Sequence, residues 1–113
     1  MSVVLAVIAG GIGALVRAEV TELRGRREGT ALVNLAGAAL LGLIVGLAGA
    51  EDASASAVLI PGVGFCGGLT TYSTWMLDVA SRREDLHALS IVVTLGVGAA
   101  LAGAGWFLGA LLV

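Results

Sequence analysis

Gly62-Val63-Gly64-Phe65-Cys66-Gly67-Gly68-Leu69-Thr70-Thr71-Tyr72-Ser73-Thr74-Trp75 lies in the middle of a stretch long enough to cross a bilayer. Glycines and hydroxyls are costly content for that position. In hydrocarbon, unsatisfied N–H and C=O groups are expensive, so irregular backbone persists only where protein or a water-filled path surrounds it. Four of the seven residues 62–68 are glycine; such a run can open a helix, free carbonyls to bind a cation and leave hydroxyls facing a path. The segment therefore predicts a broken helix at an ion path.

The surrounding composition agrees with a membrane setting. Of 113 residues, 58% are hydrophobic and 12% charged, and lysine is absent; a soluble domain carries roughly 25% charge. The chain is long enough for one domain, residues 1–113. The net charge of −2 and a pI near 5.1, with all six basic residues being arginines at span edges, give no reason to expect a nucleic-acid partner. Cys66 is the sole cysteine, so neither an intrachain disulfide nor a cysteine metal site is available, and it reads as a small residue chosen for fit.

Judged against the roughly 20 apolar residues that cross a bilayer, the chain resolves into four spans: residues 3–20, 31–50, 57–77 and 88–113. The predicted fold is an all-α membrane protein of four transmembrane helices, the third broken. The connections, residues 21–29, 51–56 and 81–87, are short, so neighbouring helices run antiparallel. No basic residue precedes the first span, which argues against a cleaved signal peptide. Gly42 and Gly46 form one GxxxG pair, and Gly105 and Gly109 another. Close backbone approach drives helix association in lipid, and the pairs fit either packing within one subunit or a dimer face. Pro61 reads as a kink where the chain begins its third crossing.

Arginine placement sets the orientation. Arg24, Arg26 and Arg27 fall in the first connection and Arg82 and Arg83 in the third, while the second connection, with Glu51 and Asp52, and both termini have none. The arginine side is cytoplasmic under the positive-inside rule, which places both termini outside, and nearby Glu22, Glu28, Glu84 and Asp85 weaken that rule little.

Three motifs now stand in order on spans one to three: Gly10-Gly11-Ile12-Gly13-Ala14-Leu15-Val16-Arg17, Gly29-Thr30-Ala31-Leu32-Val33-Asn34-Leu35-Ala36-Gly37 and Gly64-Phe65-Cys66-Gly67-Gly68-Leu69-Thr70-Thr71-Tyr72-Ser73-Thr74. Together they resemble the small fluoride channels called Fluc or CrcB, over essentially the whole chain. The resemblance implies an antiparallel, dual-topology dimer with two fluoride paths and a structural sodium ion at its centre. It implies that Gly67 and Thr70 hold the sodium through backbone carbonyls, that Asn34 lines the pore and that Arg17 draws anions into a vestibule. Carbonyl oxygen is a hard ligand suited to such an ion, and an amide can donate to a passing anion. Asn34 alternatively serves as a helix–helix hydrogen bond, and Arg17 as a residue snorkelling to the interface.

A fluoride path needs donors that replace lost water without holding the ion too firmly. Thr71, Ser73, Thr74, Ser90 and Thr94 offer hydroxyls, although such side chains often bond the preceding helical turn instead. The family usually has two phenylalanines where this chain has Tyr72 and Trp75, three apart on one helix face. Asp78 stands where an acidic residue usually follows that pair, and Met76 replaces a small polar residue. The expected activity is passive fluoride export across the cell membrane. The alternative is a non-conducting or partly conducting partner subunit of a heterodimeric fluoride channel.

Two other classes fit worse. A small multidrug exporter needs a carboxylate inside a span, yet no Asp or Glu lies in the middle of spans one, two or four, and Asp78 ends the third. An enzyme is not expected, because the single histidine, His87, has no apparent nucleophile or metal partner. The arginine asymmetry also predicts pairing with a second chain of inverted orientation. An antiparallel homodimer requires near-balanced charge on the two sides, and this chain has five loop arginines on one side and none on the other.

Overall fold

The computed structural model describes residues 1–49, 58–81 and 87–113. Connection 51–56 lies outside the described residues, as do Arg82, Arg83, Glu84 and Asp85. Helices α1 (Ser2–Arg24) and α2 (Arg26–Ala48) are joined by Gly25 alone. Next come a π-helical segment α3 (Leu59–Cys66), a single turn α4 (Gly67–Leu69), α5 (Tyr72–Ala80) and α6 (His87–Leu112). Among the described residues all regular structure is helical.

Helices α1, α2 and α6 have 23, 23 and 26 residues and are long and apolar enough to cross a membrane. At 1.5 Å per residue each exceeds the roughly 30 Å hydrocarbon core. The helices overrun the spans expected from hydropathy at the α1–α2 junction, where only one residue of the nine-residue connection is non-helical. Hydropathy marks where hydrocarbon ends, whereas a helix continues into the interface while its backbone bonds hold. Gly25 has φ of +87°, a conformation that L side chains rarely adopt, and so ends α1 and starts α2 in one step.

Two pairs of helices pack through glycine. On the α2–α6 face, a Cβ on Gly42 or Gly46 would run into the backbone of Ala102 or Trp106, and one on Gly105 or Gly109 into the backbone of α2 around Ala39, Leu43 and Leu47. The two GxxxG pairs therefore pack on each other inside one subunit. On the other face α1 meets α3 and α4: Gly13 abuts the Phe65 carbonyl, Gly64 the backbone of Ala6, and Gly68 the backbone of Gly10. Pro61 sits in the first turn of α3, where a missing N–H costs least.

The helical segment between α2 and α6 is interrupted at Thr70 (φ −89°, ψ 156°) and Thr71 (φ −148°, ψ 120°), both extended. The short α5 that follows is tied at its far end to the start of α2. The Arg26 Nε–H donates to Asp78 Oδ1 at 3.1 Å, and Arg27 Nη2 donates to Ser81 Oγ at 3.3 Å. The end of α5 thus lies beside the Gly25 junction, placing Ser81, which immediately precedes the second arginine pair in sequence, at the same end as the first cluster. Few large side chains are buried, and many apolar ones along α1 and α6 are exposed, as expected of surfaces that meet lipid or another subunit.

Candidate functional site

The site is organised by one clasp between α2 and the break. Asn34 Nδ2 donates to the Thr71 carbonyl at 3.0 Å, and the Thr71 N–H donates to Asn34 Oδ1 at 2.7 Å. A carbonyl needs a donor and an N–H an acceptor, so this pairing fixes which way the amide points. Isolated extended backbone inside a membrane needs such a partner, and Asn34 supplies both halves. Asn34 thus makes the helix–helix hydrogen bond and retains one amide N–H for other use.

The clasp has a consequence for two carbonyls. In a continuous helix the Gly67 carbonyl accepts from the Thr71 N–H, and the Thr70 carbonyl from the Thr74 N–H. Here the Thr71 N–H goes to Asn34, and the Thr74 N–H goes to Thr71 Oγ1 at 3.4 Å, capping α5. Both carbonyls have lost their helical donors to side chains. Gly67 is also exposed, with open space where a Cβ would stand. Packing within the subunit does not require glycine there, unlike at Gly68 one residue later. Among the described residues no group of three His, Cys, Asp or Glu side chains gathers, so backbone oxygens are the cation ligands this region has to offer.

Two cavities meet at the break. The larger, about 700 Å³, is lined by Asn34, Gly67, Thr70, Thr71, Thr94 and apolar residues of α2, α3 and α6, with Tyr72 and Trp75 at one side. The two aromatic rings meet edge to face, their centroids 5.6 Å apart and their planes at 61°. The smaller, about 490 Å³, lies among α1, α2 and α5 and is lined by Arg17, Arg26, Thr30, Thr71 and Thr74, with Thr21, Ala18 and Glu22. Thr71 belongs to both walls. Ser73, which is exposed, and Ser90, half-buried on α6, line neither cavity.

Sequence reasoning missed Thr30 and the pairing of Arg26 with Asp78. Arg26, Thr30 and Asn34 stand four apart on one face of α2; Arg26 bonds Asp78 of α5, Asn34 bonds Thr71 at the N-cap of α5, and Thr30 lines the smaller cavity with Thr74. The i, i+4 spacing was available as a signal, but Arg26 read as a topology determinant and Thr30 as part of a glycine-rich motif.

Three helices long and apolar enough to cross a membrane, packed around an interrupted fourth segment, define the class as a multi-pass helical membrane protein. The particular family follows from comparison. The family model of CrcB-like protein, Camphor Resistance (CrcB), matches residues 4–110, and the chain belongs to this family. Similar proteins include "Fluoride-specific ion channel FluC 2" of Mycobacterium tuberculosis, 42% identical over 106 residues and covering 83% of this chain and 81% of that one. Another, of the same name from Prochlorococcus marinus, is 42% identical over 101 residues, covering 86% and 73%. "Fluoride-specific ion channel FluC 1" of Symbiobacterium thermophilum is 40% identical over 114 residues, covering 92% of each chain. No solved structure matches the chain significantly.

Proposed function

We propose that this protein is a fluoride-specific channel subunit that lets fluoride leave the cytoplasm passively. The observation that carries the reading is the likeness to proteins named fluoride-specific ion channels, at 40–42% identity over most of both chains. The broken third crossing supports it, because backbone opened towards a cavity suits ion passage. Fluoride enters cells as the neutral weak acid, dissociates at cytoplasmic pH and is trapped as an anion. An inside-negative membrane then drives it out without ATP or proton coupling. Along the path, Asn34, Thr71 and Thr94 offer donors at the larger cavity. The ring edges of Tyr72 and Trp75 offer the positive side of an aromatic quadrupole. Arg17 and Thr74 stand at the smaller cavity, and Ser73 and Ser90 are available to a path only where a second subunit completes it.

The Gly67 and Thr70 carbonyls fit a structural sodium ion, being hard oxygens freed from their helical donors beside an open surface. Two carbonyls are too few for sodium, so an antiparallel partner supplies the rest. That partner is a second chain with arginines in the opposite connections, since five arginines on one side fix a single orientation. This orientation leaves both termini outside the cell membrane. A partly conducting role for this chain within such a heterodimer is the second reading. It is favoured by Tyr72 and Trp75, which differ from the usual phenylalanines.

Fluoride efflux from liposomes tests the function, first with this chain alone and then with a paralogue of opposite arginine placement. Efflux with the paralogue, and little without, is expected. No fluoride efflux in either preparation, with both proteins folded in the bilayer, sinks the reading.

A further inference from the structure

Helix α5 carries Tyr72 and Trp75 into the wall of the larger cavity, yet little apolar burial holds it there. Of its nine residues only Asp78 and Val79 are buried. Its hold on α2 is polar and comes at two points. Asn34 bonds both backbone groups of Thr71 at the N-cap, and the Arg26 Nε–H donates to Asp78 Oδ1 at 3.1 Å. Thr30 lies between the two on α2, but its buried Oγ1 has no hydrogen-bond partner and adds no third tie. Along α2, Arg26 and Asn34 are about 12 Å apart; along α5, Thr71 and Asp78 are about 10 Å apart, two helical turns. The two lengths match, so both ties close at once on one side of α5. The first fixes where α5 begins. The second fixes its direction and its rotation about its own axis.

As a source of stability the second tie is poor. Asp78 is 3% exposed and its Oδ2 is buried without a partner, which costs free energy. The Arg26 side chain is 64% exposed, so its attraction is screened by water. An apolar residue of similar size at position 78 would serve stability as well or better. What the carboxylate supplies is placement. We propose that the Arg26–Asp78 tie is a positioning element for transport, holding α5 so that Tyr72 and Trp75 keep their edge-to-face contact on the cavity wall. Asp78 acts through the helix, standing one turn beyond Trp75 and lining neither cavity. This inference rests on the fluoride reading for the identity of the transported ion, but not for the placement of α5.

Trp75 reports that placement directly. With Trp106→Phe and a tryptophan-free partner subunit, it is the sole tryptophan of the complete channel. Asp78→Ala should raise acrylamide quenching of its fluorescence about threefold, and Arg26→Ala should do the same. The double variant should show no more than either alone, because residues sharing one tie are not additive. Asp78→Asn keeps an acceptor for the Arg26 Nε–H and should fall between. Gly109→Ala, which disturbs the α2–α6 contact near Leu43 and Leu47, should lower the unfolding midpoint and leave Trp75 quenching unchanged. Additive effects of Arg26→Ala and Asp78→Ala, unmoved quenching in Asp78→Ala, or an equal rise in Gly109→Ala overturns the proposal. In liposomes, Asp78→Ala should lower the maximal fluoride flux about tenfold, with the half-saturating concentration within twofold. An unchanged maximal flux overturns the role in transport. An unmodified channel that passes no fluoride, yet shows the non-additive quenching, sinks the fluoride reading and supports the tie.

Discussion

For Asn34 the resemblance implies a pore role, with a helix–helix hydrogen bond as the alternative, and the geometry gives it structural work. Its amide satisfies the N–H and the carbonyl of Thr71 at once. Asn34→Ala orphans both groups in a low-dielectric interior, at a cost on the order of 2–4 kcal/mol for two lost bonds and their stranded partners. The expected outcome is a lower unfolding midpoint in detergent together with weakened fluoride flux. A pore-only asparagine predicts reduced flux at unchanged stability, and unfolding measurements on the variant separate the two. Asn34→Asp should also destabilise, because it keeps an acceptor for the Thr71 N–H but turns an oxygen towards the Thr71 carbonyl. The residue was legible in the sequence as a lone amide in an apolar span. Its partner was not, because contact with Thr71 depends on how α2 and the break cross. Thr30 was harder still. A threonine four residues before Asn34 gives no sign in sequence that it forgoes the bond to its own helix.

At the level of the helices, glycines divide into two kinds that sequence cannot tell apart. Gly67 and Gly68 are neighbours, yet a Cβ on Gly68 meets the Gly10 backbone while one on Gly67 meets nothing. Gly68→Ala should therefore destabilise the subunit by about 1–3 kcal/mol, as overpacking does. Gly67→Ala should leave the isolated subunit folded and, in the dimer proposed above, weaken assembly with a partner, because the residue is exposed and its Cβ position is open. Unfolding of the monomer and single-molecule counting of subunits in the bilayer read these effects separately. Equal loss of monomer stability in both variants contradicts the assignment. The GxxxG pairs carry the same lesson. Their spacing announced that backbones approach closely, and only the structure paired Gly42 and Gly46 with Gly105 and Gly109 across α2 and α6. The interruption at Thr70 and Thr71 and the three membrane-length helices were readable because hydropathy and glycine density are local properties. Helix ends at the Gly25 junction were not, because the interface tolerates charged helical turns.

Across the whole molecule, the basic residues of the α1–α2 junction and the last residues of α5 gather at one end, tied by Arg26–Asp78 and Arg27–Ser81. Arg26 is largely exposed, so its pair with Asp78 contributes little to stability, about 0–1 kcal/mol. In the orientation proposed above, its larger effect is on insertion. Tags on the C-terminus in the native membrane should be reached from the outer face only. Replacing Arg24, Arg26 and Arg27 with glutamine should produce a mixed population. Similar labelling from both faces in the unmodified chain contradicts a fixed orientation and removes the need for a second gene product.

The glycine contacts between helices involve backbone and small side chains, and they are indifferent to which face of the membrane they are viewed from. In the orientation proposed above, direction is set instead by the arginines of the connections. Shape and direction are therefore under separate mutational control. After a gene duplication, one copy can be turned over by a few codon changes in its connections while every packed surface is inherited intact. In the heterodimer proposed above, the two copies then become mutually dependent, and neither can be lost without disabling the other.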